Sequence, residues 1–303
     1  MIVILTALES ERAAVLGHLA EVEAHEHRAG TLFDVGVLKS RSDRRIAVAA
    51  TGMGNLTAAA LTERAIVEFQ PSAMLFVGIA GGLRDWLELG DVVVATRVYA
   101  YHGGRSEDGG FRDRPRSWDI SHKIEQAARR VSRAREWYAP ISDGTGVCPE
   151  VHFHPVAAGD VVLDSRTSEH ARHLDDTYND AIAVEMESAG FALAGHLNDG
   201  LRTASVRAIS DLAGGAKNTT DREGWQSVAA RNAAAFAVAL AAQLDDPSPE
   251  GAPAEDVPAA EPAPALPPIR NTNTARDNAH VDQQIGVNLG GFYAGTRRSG
   301  DDR

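Results

Sequence analysis

The chain is poor in cysteine, and it lacks the long apolar runs that mark export or membrane insertion. Cys148 is the single cysteine among 303 residues, which excludes an intramolecular disulfide and suits a reducing compartment. No apolar run approaches the roughly 20 residues that span a bilayer. The N-terminus enters an apolar segment without a preceding basic region, so no secretory signal is visible. We therefore expect a cytoplasmic protein with no membrane partner.

Positive charge is also scarce. The chain has 30 Lys and Arg against 42 Asp and Glu, and its formal net charge is -12. A nucleic-acid-binding protein needs clustered cations to displace counterions from phosphates, so we exclude nucleic acid as a partner. The apolar residues, 44% of the chain, are ample for one sizeable core and an appendage.

The composition changes after Leu244, and this change predicts where the folded part of the chain ends. Eight of the 13 prolines lie between residues 247 and 268, among Ala, Glu and Asp. Such a segment cannot bury enough apolar surface to offset the entropy of ordering it. We predict a folded domain over 1–244, a disordered Pro/Ala/Glu-rich linker over 245–269 and a polar tail over 270–303.

Within 1–244, strand-like and helix-like segments alternate. Segments rich in Val, Ile and Ala predict strands at 2–6, 46–51, 73–78, 91–99, 156–162, 181–184 and 203–209. Apolar residues at helical spacing predict helices at 55–69, 186–197 and 225–244. This alternation predicts an α/β fold, in which helices cover both faces of a sheet that is at least partly parallel.

Acidic residues follow the first predicted strand and the last two. They are Glu11, Glu185, Glu187 and Asp211. Ligands of open α/β sheets bind beyond the strand ends. We therefore expect these carboxylates to share one polar pocket above the sheet.

Two glycine-rich turns also follow predicted strands. Thr51-Gly-Met-Gly-Asn55 opens a predicted helix, and Val77-Gly-Ile-Ala-Gly-Gly82 ends a strand. Glycines let the backbone approach a ligand, and a helix N-terminus favours an anion or a polar oxygen. A plain turn is the alternative for each. Neither is a P-loop, because no Gly-Lys-Ser/Thr follows.

The histidines give little support to a metal centre. His152 and His154 would share one face of an extended segment, with Cys148 close in sequence. A metal site needs a further ligand, so we predict neither a metal nor a cofactor. No Gly-x-Ser-x-Gly elbow is present, which leaves covalent hydrolase chemistry without support.

Together the motifs resemble the purine nucleoside phosphorylase / uridine phosphorylase superfamily, and within it the 5′-methylthioadenosine/S-adenosylhomocysteine nucleosidase branch. The matching segments are 4–11, 51–60, 78–83, 89–94, 101–102, 158–160, 183–188 and 207–211. The resemblance implies a three-layer αβα sandwich with a mixed central sheet. It also implies a purine nucleosidase that hydrolyses the N-glycosidic bond of an adenine nucleoside or nucleotide, with a signalling or defence effector as one role that the resemblance suggests.

The resemblance implies roles for individual residues as well. Asp211 matches the general acid that protonates N7 of the purine, and Ser210 would orient it. Glu11 matches the residue that activates the attacking water. Glu187, with Met186 beneath it, matches the ligand of the ribose diol. The other predicted substrate-site residues are Glu185, Arg207, Gly52, Ile79, Ala80, Gly81 and Val162.

Hydrolysis and phosphorolysis differ in what the site must hold. Bacterial phosphorylases of the superfamily place an arginine and a serine for phosphate where this chain has Phe76 and Ile79. An apolar wall cannot compensate the desolvation of a phosphate dianion, so we predict water as the nucleophile. A nucleoside phosphorylase and a non-catalytic nucleoside-binding module remain as alternatives.

This chain departs from the nucleosidases around the base and the 5′ group. Ile79 replaces their serine, and Val161-Val162 replace their base-stacking aromatic, which makes Phe153 a candidate for stacking. A Gly-rich loop also carries four arginines: Arg105, Arg112, Arg114 and Arg116. They suggest a lid that meets the 5′-phosphates of a nucleotide; a solvated charged loop is the alternative.

The tail contains a short segment in which apolar residues alternate with polar residues or glycine. Residues 282–292, Asp-Gln-Gln-Ile-Gly-Val-Asn-Leu-Gly-Gly-Phe, lack proline and carry little charge, which suits in-register stacking. The segment resembles bacterial amyloid signalling motifs, which implies a receptor partner or self-assembly. A disordered end is the alternative. By analogy with the family we also expect a homo-oligomer.

Overall fold

The computed structural model describes residues 1–108, 110–141, 148–198, 201–214 and 224–244. All of them belong to one compact unit. The predicted linker (245–269) and the predicted tail (270–303), with its 282–292 motif, lie outside the described residues. In the part that is described, no helix has the length and apolarity needed to cross a membrane.

The described residues form twelve strands and six α-helices. The strands are β1 (Ile2–Thr6), β2 (Leu19–Glu26), β3 (Leu32–Leu38), β4 (Arg41–Ala50), β5 (Ala73–Gly82), β6 (Val92–Ala100), β7 (Gly104–Glu107), β8 (Gly110–Asp113), β9 (Arg116–Asp119), β10 (Val151–Ala158), β11 (Ala183–Glu185) and β12 (Arg202–Asp211). The helices are α1 (Glu9–Leu16), α2 (Asn55–Phe69), α3 (His122–Ala134), α4 (Glu169–Thr177), α5 (Ser188–Leu197) and α6 (Trp225–Gln243), with a 3-10 helix at Glu136–Ile141.

The main sheet is mixed and partly closed. Its strands follow the order β2-β3-β4-β1-β5-β12-β6-β10-β11, with β9 added beside β6. The strands β4, β1, β5 and β12 run parallel, whereas β2, β3 and β9 join in antiparallel pairs. β11 also pairs with β5, so that β5, β12, β6, β10 and β11 close into a ring. The predicted α/β fold with a mixed central sheet is confirmed.

The sheet is covered on both faces because its central strands are apolar at successive positions. In β1, Ile2 and Ile4 belong to a cluster with residues of α1, α3 and α6, whereas Val3 and Leu5 belong to a second cluster with Phe191 of α5. The four β1 residues are fully buried. Successive residues of a strand point to opposite faces, so such a strand needs a helical layer on each side.

Several boundaries differ from the sequence predictions, and two of these differences shape the site. The strand predicted at 156–162 is β10, which ends at Ala158, so that residues 159–163 form a loop. The helix predicted from Met186 begins at Ser188 instead, which leaves Met186 and Glu187 in the turn before it. Side chains in a loop or turn are free to face a ligand rather than a packed layer.

Candidate active site

A cleft of about 170 Å³ lies where the acidic strand ends converge. Glu11 reaches it from α1, Glu185 from the end of β11 and Asp211 from the end of β12. The described residues that line it are Ala7, Leu8, Glu11, Met53, Ile79, Ala80, Gly81, Val161, Val162, Leu163, Val184, Glu185, Met186, Glu187, Ser210, Asp211 and Gln226. Every acid predicted from a strand end is among them.

Glu11 is held by three backbone N–H groups. Its Oε2 accepts from Ala7 (2.9 Å) and Leu8 (2.8 Å), and its Oε1 accepts from Ile79 (2.9 Å). Burial raises the pKa of Glu11 above its ordinary value of 4.5, while the charge of Arg207 and these hydrogen bonds act in the opposite direction. The carboxylate is therefore fixed in orientation and is more basic than an exposed glutamate.

Arg207 lies beneath the cleft and joins two of its carboxylates. Its Nη2 donates to Glu185 Oε2 and to Glu187 Oε2 (3.5 Å), and its guanidinium lies 4.8 Å from the centre of the Phe76 ring. The side chain is fully buried, and its Nε and Nη1 have no hydrogen-bond partner among the described residues. A buried guanidinium needs nearby carboxylates to compensate its charge, which ties Arg207 to the acids above it.

Glu185 supports the turn that carries the other site residues. It accepts hydrogen bonds from the backbone N–H groups of Glu187 (3.1 Å) and Ser188 (3.0 Å) and from the Ser188 hydroxyl (3.0 Å). Burial raises the pKa of Glu185, Arg207 lowers it and the charge of Glu187 raises it. These contacts hold the turn in the shape that presents Met186 and Glu187 to the cleft.

Glu187 is positioned from the other side by the start of α2. Its Oε1 accepts from the backbone N–H of Gly54 (3.0 Å), and Gly54 has a φ of 103°, which favours glycine. The next residue, Asn55, accepts from Gly190 N–H (2.9 Å) and donates to Asp160 Oδ1 (3.0 Å). The first turn of α2 thus connects α5 to the 159–163 loop.

Asp211 also has a defined orientation in the cleft. Its Oδ2 accepts from the Ser210 hydroxyl (3.0 Å), and its Oδ1 accepts from the backbone N–H of Ala213 (2.9 Å). A Cβ at Gly81 would lie 3.1 Å from Oδ1, so the glycine lets the carboxyl group lie close to β5. The carboxyl group is buried but lines the cleft, where it can reach a bound molecule.

One wall of the cleft is aliphatic. Val161 and Val162, which are 42% and 57% exposed, line it together with the buried Leu163. Phe153 lies in β10 with the guanidinium of Arg129 4.3 Å from its ring centre, and it is not among the described residues that line the cleft. The structure therefore does not bring Phe153 to a position where it would stack on a base.

The comparison with protein families agrees with this geometry. The family model described as the phosphorylase superfamily matches residues 1–244. The chain belongs to the phosphorylase superfamily. The predicted membership is confirmed, and the match ends where the composition of the chain changes.

Similar proteins within the phosphorylase superfamily are nucleosidases. The chain is 30% identical over 233 residues to the 5′-methylthioadenosine/S-adenosylhomocysteine nucleosidase of Mycobacterium tuberculosis, covering 70% of this chain and 85% of the relative. It is 29% identical over 257 residues to the ATP nucleosidase Cap17 of Escherichia coli, covering 77% of this chain and 49% of the relative. This chain thus spans about half of the second relative.

Solved structures of the phosphorylase superfamily share the fold. The 5′-methylthioadenosine/S-adenosylhomocysteine nucleosidase of Neisseria meningitidis, in complex with methylthio-immucillin-A, has a TM-score of 0.67 and 25% identity, covering 80% of this chain and 99% of that chain. Futalosine hydrolase of Helicobacter pylori has a TM-score of 0.66 and 23% identity, covering 80% and 97%. The second likeness shows the fold alone.

Two residues that the superfamily resemblance assigns to the substrate do not line the cleft. Arg207 lies beneath it, as described above. Gly52, with a φ of 74°, forms the turn before Met53, and Met53 lines the cleft instead. Gly52 contributes to the site by forming the turn before Met53. Arg207 contributes by holding the carboxylates of Glu185 and Glu187.

The four arginines predicted to form a lid also lie away from the cleft lining. Arg105 and Arg112 lie on the β7–β8 hairpin, where both pair with Glu107 (3.3 and 2.8 Å). Arg114 follows β8, and Arg116 lies in β9 with its guanidinium 5.3 Å from the centre of a tryptophan ring. None of the four is among the described residues that line the cleft.

His152 and Cys148, which the sequence suggests as metal ligands, have separate hydrogen-bond partners. His152 Nε2 lies 2.9 Å from a carboxylate oxygen of Asp91, and Cys148 donates to the Pro149 carbonyl (3.6 Å). Over the described ranges, no group of three or more His, Cys, Asp or Glu side chains is arranged to hold a metal ion.

Sequence reasoning misses several apolar lining residues and one polar one. They are Ala7, Leu8, Met53, Val161, Leu163, Val184 and Gln226. Ala7, Leu8, Met53 and Val184 lie inside the segments that carry the resemblance, so those segments are the signal that points to them. Leu163 required the true end of β10, and Gln226 required the position of α6, neither of which the sequence pattern fixes.

Proposed function

We propose that this chain is a purine nucleosidase that hydrolyses the N-glycosidic bond of an adenine nucleoside or nucleotide. The proposal rests on the gathering of Glu11, Glu185, Glu187 and Asp211 around one cleft above Arg207. Cleavage of an N-glycosidic bond leaves positive charge on the sugar, as in other glycosidic cleavages. Preorganised carboxylates stabilise that charge as it develops. The similarity to two nucleosidases supports the same reaction.

Asp211 supplies the proton that the departing base needs. Protonation at N7 lets the purine leave as a neutral molecule, and a positioned acid typically contributes about 10²–10⁴-fold to such a step. The Ser210 hydroxyl and the Ala213 N–H fix the orientation of the carboxyl group. Asp211 then faces the base while the other acids face the sugar.

Glu11 activates the water, and Glu187 holds the ribose. Burial keeps the pKa of Glu11 raised, so its carboxylate is a better proton acceptor than an exposed one. Glu187 reaches the cleft with one oxygen bound to Gly54 N–H, and a carboxylate has further lone pairs for a diol. Met186 lies beside it in the lining.

Water is the nucleophile rather than phosphate. The described residues that line the cleft include no lysine or arginine, and Ile79 forms part of the wall. Phe76 is fully buried against Arg207. A phosphate dianion in this cleft would lose its hydration without a cation in contact. The phosphorylase and the non-catalytic binding module are the alternatives that the assay must separate.

The test is release of free base from adenosine, methylthioadenosine, AMP and ATP, with and without phosphate. The proposal expects base without phosphate. Base only with phosphate indicates a phosphorylase, and no base from any substrate indicates a binding module. Asp211→Asn should lower the rate by roughly 10²–10⁴-fold. Asp119→Asn, which alters an exposed carboxylate of β9, is the matched control and should leave the rate unchanged.

We further propose that the substrate carries a 5′-phosphate group. The similarity to an ATP nucleosidase supports this. The arginines at 105, 112, 114 and 116 lie after β6 and outside the cleft lining, so in this proposal they meet phosphates that extend beyond the cleft rather than a phosphate inside it. The double variant Arg112→Ala with Arg114→Ala should reduce hydrolysis of ATP more than hydrolysis of adenosine. Equal losses on both substrates would reject the arginines as phosphate ligands.

A homo-oligomer in the cytoplasm completes the proposal. Leu56, Val67 and Leu197 of α2 and α5 are 87%, 72% and 69% exposed, and large exposed apolar side chains favour association. Sedimentation of the whole chain should give a mass above that of one chain. A receptor or self-assembly role for 282–292 is tested by comparing the whole chain with a chain that ends at residue 281.

A further inference from the structure

Leu163 separates the acidic cleft from a second cavity. Among the described residues, it is the one that lines both. The second cavity has a volume of about 500 Å³. Leu163 is 7% exposed and packs in one cluster with Ala213, which lines the second cavity, and Val184, which lines the cleft. The two spaces are therefore neighbours across a partition of small aliphatic side chains.

The base would point its 6-substituent at this partition, an argument that rests on the proposed function. N7 and the substituent on C6 share one edge of a purine. If Asp211 protonates N7, that edge faces Asp211 and what lies next to it. Asp211 Oδ1 accepts from the N–H of Ala213 (2.9 Å), and a Cβ at Gly81 would lie 3.1 Å from Oδ1 and 3.5 Å from Ala213 Cβ. Ala213 and Leu163 are thus the next groups beyond the acid.

The lining of the second cavity suits an apolar group, and the rim of the cavity is polar. Leu83, Ala171 and Leu174 provide aliphatic surface. At the rim, Arg84 pairs with Asp175 (2.7 Å), and Arg166 pairs with Asp85. Guanidinium groups over an aromatic ring are favourable, so a substituent with an aryl ring matches this lining.

We propose that Leu163 is a specificity-determining residue that sets the largest 6-substituent the purine can carry. With leucine present, the partition restricts the cleft to unsubstituted adenine. With a smaller residue, the two spaces join, and adenine nucleosides with an aryl group on N6 are hydrolysed. The reaction itself is unchanged, because the acids at the cleft are not moved.

The experiment compares wild type with Leu163→Ala, Leu163→Val and Leu83→Ala. Each is given the adenine nucleoside that wild type hydrolyses fastest and the N6-benzyl derivative of the same nucleoside, and kcat/KM is measured from base release. Leu163→Ala should raise the ratio of derivative to parent by roughly tenfold or more, which is the range for opening space of a few methylene groups. Leu163→Val should raise it less. Leu83→Ala, the same truncation on the far side of the partition, should leave it unchanged.

The outcomes separate this inference from the proposed function. If wild type releases no base from any adenine nucleoside or nucleotide, the proposed function fails. If wild type is active but Leu163→Ala keeps the wild-type ratio, or Leu83→Ala raises it equally, the specificity role of Leu163 is wrong. Should Leu163→Ala fail to fold, the ratio for Leu163→Val decides, and an unchanged value overturns the inference.

Discussion

At the scale of single residues, Gly78 occupies a position where any side chain would disturb the site. A Cβ there would lie 2.5 Å from Arg207 Nη1 and 2.6 Å from Glu11 Oε1. Gly78→Ala must therefore displace the acid or the guanidinium. We expect kcat to fall by roughly 10²-fold, because a shift of about 1 Å in a catalytic group has this effect.

The matched control for Gly78→Ala is Gly17→Ala. Gly17 follows α1 with a φ of -55°, and a Cβ there would lie 3.3 Å from the nearest atom, the Ala14 carbonyl oxygen. This variant should keep the wild-type kcat. A wild-type kcat for Gly78→Ala as well would show that Glu11 and Arg207 need not be held where they are.

The pH dependence of hydrolysis should report the environment of Glu11. The group must be ionised to accept a proton, and burial raises its pKa above 4.5. The ionised fraction therefore falls as pH decreases toward this raised value, so the acid limb of kcat/KM should have its midpoint above pH 4.5. The limb belongs to the coupled cluster, since Glu185 also has a raised pKa.

Two variants assign this acid limb. Glu11→Gln should lower the rate and remove the Glu11 contribution to the limb. Glu9→Gln alters a carboxylate on the same helix whose side chain is 76% exposed, and it should leave the profile unchanged. An acid limb at or below pH 4.5 in the wild type would contradict the effect of burial on Glu11.

Much of the site could be predicted at the residue scale because carboxylates at strand ends have few structural reasons to be there. Glu11, Glu185, Glu187 and Asp211 all reach the cleft. The stacking residue could not be predicted in the same way. Phe153 is predicted for its ring, but it lies inside β10 rather than at the strand end, where it packs against the apolar cluster that includes residues of α3 and α6.

At the scale of elements, the contact between α2 and α5 sets the geometry of Glu187. A Cβ at Gly190 would overlap the Asn55 carbonyl, so Gly190→Ala must push the two helices apart. Overpacking of this kind typically lowers the free energy of unfolding by about 1–3 kcal/mol. Because Gly54 N–H binds Glu187 (3.0 Å), we also expect KM to rise.

Gly195→Ala is the comparison on the same helix. Its Cβ would meet the Thr203 side chain at 2.5 Å rather than a backbone atom of α2. It should also lower the melting temperature, but KM should stay near wild type. A rise in KM of the same size in both variants would show that the effect comes from lost stability and not from the position of Glu187.

The boundaries of strands and helices are the features that sequence patterns predict least well. The pattern at 156–162 predicts a strand because Val161 and Val162 follow soon after Ala158, but pairing with β11 stops at Glu185. The sequence pattern also fails to predict β2. Leu19–Glu26 is rich in glutamate and mostly exposed, because the strand lies at the edge of the sheet. Tertiary pairing decides such segments, and local composition does not.

At the scale of the whole molecule, we expect the shortest functional chain to end just after α6. Every described residue that lines the cleft lies between Ala7 and Gln226. Leu244 is 1% exposed and packs with α6 in the largest apolar cluster. A chain of residues 1–244 should therefore fold and hydrolyse the substrate with the kcat/KM of the whole chain, because its core is complete.

A chain that ends at Gly224 is the contrasting case, since it lacks α6. Residues of this helix from Ala229 to Leu240 pack against the sheet and against Trp137 of the 3-10 helix. Removing them exposes the apolar residues of β5 and β12 that α6 covers, and a parallel sheet that is uncovered on one side is not stable. Thermal unfolding should be cooperative for 1–244 and absent for 1–224. Loss of hydrolysis in 1–244 would mean that residues beyond Leu244 contribute to the active enzyme, and the predicted domain boundary would then be wrong.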